Sequence, residues 1–131
     1  MAIPNLAATA TSYGVTKVRE LTTSWLTVTG NAGGSMTSYD PIPAEYSAKI
    51  HTLIITNIDV TNAADVSVVL HNATTATSFY LANTISVPAD ASLVVISADT
   101  PIWLDESDYI QCTASANGDL SATCSFTLFA D

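Results

Sequence analysis

The chain has 131 residues, 48% of them hydrophobic and only 11% charged, with twelve acids against three bases and a formal charge of -9. A chain of that length builds one core, and the acidic balance excludes the basic patches that nucleic acids and anionic membranes require. Neither a basic, apolar leader nor a run of the ~20 apolar residues that a membrane helix needs is visible, so synthesis in a cytoplasm is expected.

In chain order, residues 1–13 have no clear period and read as an extended arm, either frayed or reaching a neighbouring subunit. Residues 14–21 alternate, with Val15, Val18 and Leu21 among Thr16, Lys17, Arg19 and Glu20, and predict a strand. Spacing near three also fits a short helix there. Residues 24–29 predict a second strand around Trp25, Leu26 and Val28. Residues 30–47 form a long connection, with Gly33-Gly34 in a loop and Pro41 and Pro43 holding an extended path.

Residues 48–59 predict the strongest strand. Plain alternation puts Ile50, Ile54 and Ile58 on one face and Leu53 and Ile55 on the other, so the strand belongs near the centre or beneath a neighbour. Val66, Val68 and Leu70 then return on one face and suggest a hairpin with 48–59. Beyond Ser78 the chain has no Lys, Arg or His, and short apolar runs are cut by turns at Val87-Pro88-Ala89-Asp90, Asp99-Thr100-Pro101 and Asn117-Gly118-Asp119. About eight strands and no long helix give an all-β class: one antiparallel β-sandwich over residues 1–131, jelly-roll or immunoglobulin-like.

Charge is scarce against the roughly 25% of an ordinary soluble domain. That points either to surface covered by other subunits or to a neutral, Ser/Thr-rich sandwich.

Sites of chemistry are few. His51 and His71 fall near each other if 48–59 and 66–71 pair, but a metal needs a third ligand and none is evident. Asp59 and Asp65 flank the other end of that hairpin. Asp105, Glu106 and Asp108, with Asp99, lack the spacing of a calcium loop and read as acids of a solvated turn. There is no Gly-x-Ser-x-Gly, and Gly33-Gly34 lacks the Lys of a phosphate loop. Asn72-Ala73-Thr74 matches a glycosylation sequon at the chance level of so Asn- and Thr-rich a chain. Cys112 and Cys124 fall opposite each other in the last hairpin if its loop is Asn117-Gly118-Asp119. A two-residue loop pairs Cys112 with Thr123 instead. They are expected as two buried, reduced thiols, with a cross-strand disulfide as the alternative. The aromatics Trp25, Tyr39, Tyr46, Tyr80, Trp103 and Tyr109 are scattered, which favours packing roles over a sugar platform. No catalytic, cofactor-binding or metal residue is assigned, and no cofactor.

The run Phe79-Tyr80-Leu81-Ala82-Asn83-Thr84-Ile85-Ser86-Val87-Pro88-Ala89-Asp90-Ala91-Ser92-Leu93-Val94-Val95-Ile96 resembles a motif of small structural proteins in tailed-phage virions. There a strand ending near Tyr-Leu leads to a Val-Pro-Ala-Gly/Asp-x-Ser turn, an apolar strand and a Pro-Ile-x-Leu-x-x-Gly-Asp element. The last piece is here Pro101-Ile102-Trp103-Leu104-Asp105-Glu106-Ser107-Asp108, with Ser107 in place of Gly, and Leu53-Ile54-Ile55-Thr56-Asn57-Ile58-Asp59 matches the strand before. The resemblance covers roughly 48–129. It implies a non-enzymatic virion protein, a capsid decoration (cement) or neck or tail accessory subunit. Its partners would be other virion proteins, while the scarce charge and the two-sided apolar strand 48–59 predict association with copies of itself, with a trimer favoured. The competing reading is a receptor- or carbohydrate-binding module, which needs an aromatic platform beside polar side chains in a groove.

Overall fold

The computed structural model describes residues 12–31 and 37–130, so most of the expected arm at 1–13 lies outside it. Nine strands and no helix run through the described residues: β1 (Ser12–Glu20), β2 (Leu26–Thr27), β3 (Tyr46–Asn57), β4 (Ala64–Asn72), β5 (Thr77–Val87), β6 (Ser92–Ile96), β7 (Ile102–Leu104), β8 (Tyr109–Ala114) and β9 (Leu120–Ala130). Of the expected strand 24–29, two residues carry ladder pairing. Residues 14–21 are strand rather than helix.

One sheet has the order β1-β9-β3-β6, with β7 also paired to β3, and the other has β2-β8-β4-β5. β7 pairs with Ala48 to Ile50 and β6 with Leu53 to Thr56, so the two are consecutive pieces of one strand along β3. Counted so, there are eight strands and the pairing is nested: first with last, second with seventh, third with sixth, fourth with fifth. Every pair is antiparallel. A long hairpin rolled onto itself has this order, which is the jelly roll rather than the immunoglobulin fold.

The nesting corrects two expectations from the sequence. β3 and β4 are not a hairpin; they lie in different sheets, as do β8 and β9. The links 58–63 and 115–119 cross between layers, a gap of about 10 Å that five or six residues span readily. Asn57, 2% exposed, fixes the first crossing by donating its side-chain amide to the carbonyls of Asn62 (3.0 Å) and Val87 (2.9 Å).

A third correction concerns the faces of β3. Opposite β9 the register shifts between Ile50 and Thr52, so His51 is the extra residue of a β-bulge. A one-residue insertion flips everything after it to the other face. Ala48, Ile50, Leu53 and Ile55 therefore all face the core, while Ile54 faces out and Ile58 lies exposed beyond the strand. The strand is apolar on one face, not two.

The core gathers Ile50, Leu53 and Ile55 with Leu120, Ala122, Cys124, Phe126 and Leu128 of β9 from one sheet. Val66, Val68, Ile110, Cys112 and Ala114 come from the other. β4, β8 and β9 thus obey the period-two pattern of their sequences.

The described part of the 30–47 connection is anchored rather than loose. Ile42 is 1% exposed; its N–H donates to Asp108 O, and Ser107 N–H donates to Ile42 O. Arg19 Nη1 donates to the carbonyls of Thr27 and Thr37. Gly30, at φ +144°, lies so close to the Asp40 carboxylate that a Cβ there would collide with it.

Turn chemistry explains the motif that the sequence displays. Asp90, in the Pro88-Ala89-Asp90 turn, has φ 57°, and Ser107 has φ 71°. Both take the left-handed conformation in which glycine has no steric cost. Ser107→Gly should therefore stabilise the protein by roughly 0.5–1 kcal/mol, the left-handed penalty less the added entropy of the unfolded chain. Urea midpoints of the two proteins check this.

Candidate functional site

The residues singled out for chemistry do not assemble. His51 is on β3 and His71 on β4, in different sheets, because the hairpin that would have joined them does not form. His51 Nε2 pairs with Thr127 Oγ1 at 2.7 Å, and His71 Nδ1 with Ser78 Oγ at 2.9 Å. Among the described residues no three His, Cys, Asp or Glu side chains gather as metal ligands. No helix among them is long and apolar enough to cross a membrane.

The acidic turn is not simply a solvated one. Asp108 is 5% exposed, and its two oxygens accept from Ala73 N–H (2.9 Å) and Asp105 N–H (3.0 Å). It ties the β7–β8 turn to the β4–β5 turn. Desolvation, then the charge of Asp108, pushes the Asp105 carboxyl above the usual carboxylate range.

Cys112 and Cys124 are free and buried. They share the core but not a ladder: Cys112 pairs with Leu26 and Val68, Cys124 with Lys17 and Leu53. Burial pushes the Cys112 thiol up, with Cys124 adding to it, and lifts Cys124 from 9.0 to about 12. The thiolate is the reactive form, so both cysteines should resist a thiol reagent until urea unfolds the chain. A thiol held protonated in the folded state stabilises fully below its unfolded value of 9.0. The Cys124 contribution then falls away as pH rises from there toward about 12.

What the structure does bring together is aromatic. On the outer face of the β2-β8-β4-β5 sheet a depression of about 240 Å³ is lined by Trp25, Val69, Ser78, Tyr80 and Gln111. Beside it Tyr109 stacks on His71 with ring centroids 4.6 Å apart and meets Tyr39 edge-on at 5.2 Å. Four of the six aromatics that look scattered in the sequence thus converge at one sheet. Of the other two, Trp103 stacks on Phe129 and carries Lys49 over its ring, and Tyr46 lies near Tyr13. The lining members Val69, Ser78 and Gln111 have no sequence signal, because only cross-strand register unites them.

A second surface runs along β5, at the edge of that sheet. Phe79 and Ile85 sit opposite core-facing Leu70 and Val66, yet they are 56% and 40% exposed. β5 is the outermost strand of its sheet, and Leu81 (37%) is the extra residue of a bulge beside them. The other edges are guarded. β1 turns Lys17 and Arg19 inward beside Cys124 and Ala122, β2 has two residues, and β6 and β7 are short and interrupted. Inward charges and short strands are the usual protections of an edge. β5 has eleven residues, only bulges to protect it, and no Asp, Glu, Lys or Arg anywhere between Val66 and Ala89.

No protein-family model matches the chain, and no curated protein does. A solved structure of Bacillus endospore appendages, described as disulfide-linked pili, is similar over 93% of this chain and 88% of that one, at 13% identity and a TM-score of 0.49. At that level the likeness says nothing about what this chain does or how its cysteines are used.

Proposed function

We propose that this chain is a non-enzymatic structural subunit that assembles with copies of itself and with other subunits of a particle. The particle is the virion of a tailed phage, and the chain is a capsid decoration or neck or tail accessory protein made in the host cytoplasm. The observation that carries the assembly is β5: a long, uncharged, unguarded edge with Phe79, Leu81 and Ile85 exposed, on a chain whose net charge is -9. Copies of so acidic a protein repel each other wherever their acids meet. The stretch without acids is where they approach at least cost, and apolar side chains there reward contact.

The closed oligomer is a trimer, with three β5 rims turned toward a shared axis and the acids kept at its outside. Repetition over a particle then converts modest single contacts into firm attachment. The phage assignment rests on the resemblance over 48–129, whose turns take left-handed residues at Asp90 and Ser107, the places where the motif uses Gly or Asp and Gly. Mass spectrometry of purified virions tests it. The chain should be present at a copy number that fits the capsid lattice or the neck or tail ring, and its absence from particles refutes the assignment.

A further inference from the structure

The depression on the outer face of the β2-β8-β4-β5 sheet remains unused by edge-to-edge assembly, which leaves sheet faces open. By register, Gln111, Val69 and Tyr80 form one row across β8, β4 and β5; Thr27 is the β2 residue opposite Gln111, and Trp25, two residues before it on the same side of the chain, borders the depression beside that row. Two aromatic side chains, Trp25 and Tyr80, thus border the depression from opposite edges of the sheet, with β8 and β4 between them. Val69, 7% exposed, floors it. Trp25 and Tyr80 keep 38% and 58% of their surface open to solvent.

The polar groups are as telling as the rings. Among the described residues, the Gln111 amide, the Trp25 indole N–H and the Tyr80 hydroxyl bond to no other group of the chain. An amide offers two donors and an acceptor, an indole one donor, a phenol one of each. Ser78 at the margin is already fixed by His71, whose ring is held flat on Tyr109. The site is thus stiffened on one side and open in its hydrogen bonding on the other. No charged side chain lines it, and the acidic chain repels anions.

We infer that the Trp25–Gln111–Tyr80 depression binds a neutral saccharide. A pyranose has an apolar face of C–H groups, which suits an aromatic ring, and a rim of hydroxyls, which suits an amide with both donors and acceptor free. Purely apolar ligands leave the Gln111 amide unpaired, and ions find no counter-charge. On a particle such a site holds cell-surface or extracellular glycan by many weak contacts at once.

The test is titration of the intact protein with maltotriose, cellotriose, chitotriose and lactose, followed by tryptophan emission and by saturation-transfer NMR, with sialyllactose as an anionic comparison. At least one neutral sugar should bind with a dissociation constant of about 1 mM or tighter. Trp25→Ala and Gln111→Ala should each weaken it about tenfold or more with circular dichroism unchanged, while Trp103→Ala, on the other sheet, leaves it intact. Binding of none of the neutral sugars, binding of sialyllactose alone, or binding that survives both Trp25→Ala and Gln111→Ala overturns the inference. The rim residues Phe79 and Ile85 lie outside this depression, so failure here leaves the assembly proposal standing, and the reverse holds too.

Discussion

Asp108→Ala should lower the stability of the folded protein by about 3 kcal/mol, several times the effect of an ordinary surface substitution. The carboxylate is buried and accepts from two backbone N–H groups on different turns, those of Ala73 and Asp105. Alanine leaves both donors without their partner, and a buried unpaired donor costs about 1–3 kcal/mol. Asp108→Asn should cost less, because its amide keeps one accepting oxygen but sets an NH2 group against the other N–H. The loss should appear in urea unfolding as a lower midpoint at unchanged slope. Asp105→Asn should do less than either, since the Asp105 side chain is only partly buried and, among the described residues, accepts no hydrogen bond. Equal effects at positions 105 and 108 would mean that the two acids share a solvated turn after all.

Phe79→Lys combined with Ile85→Lys should abolish self-association while leaving the fold intact. Both side chains are largely exposed on an edge strand, so folding depends little on them. At an interface core, two such apolar anchors carry enough energy that introducing charge should raise the dissociation constant about a hundredfold or more. Lysine on an edge is also a guard against strand pairing. Circular dichroism should match the parent, and sedimentation should report a monomer. A doubly substituted protein that still associates would move the contact away from β5.

The sequence carries the class of this fold more clearly than its connections. Alternation in 66–70, 110–114 and 120–128 reads directly as strands with one buried face, and the structure places Val66, Val68, Ile110, Cys112, Leu120, Cys124 and Phe126 in the core. Alternation does not say which strand lies alongside which. Short links after Asn57 and Ala114 look like hairpin loops, but both cross to the opposite sheet, because β4 pairs with β8 and β5 and β9 pairs with β3 and β1. The bulge at His51 is silent in the sequence for a similar reason. One extra residue reverses the faces of β3, and nothing about a histidine announces it.

The candidate sites follow the same division. Asp90 and Ser107 are legible as turn residues because their chemistry is local. Asp108 looks like its acidic neighbours, since its burial depends on Ala73, 35 residues away. The aromatic depression is illegible for the same reason: Trp25, Tyr80 and Gln111 meet only through strand order. The β5 rim had a partial signal in the run from Val66 to Ala89 without a single charged side chain.

Sedimentation equilibrium of the purified chain at micromolar concentration tests the central claim most directly. A β5-mediated trimer should give a mass of about 41 kDa, three times the 13.7 kDa of the chain, and should dissociate on dilution as one cooperative species. A mass of 13.7 kDa at every concentration would contradict self-assembly through β5.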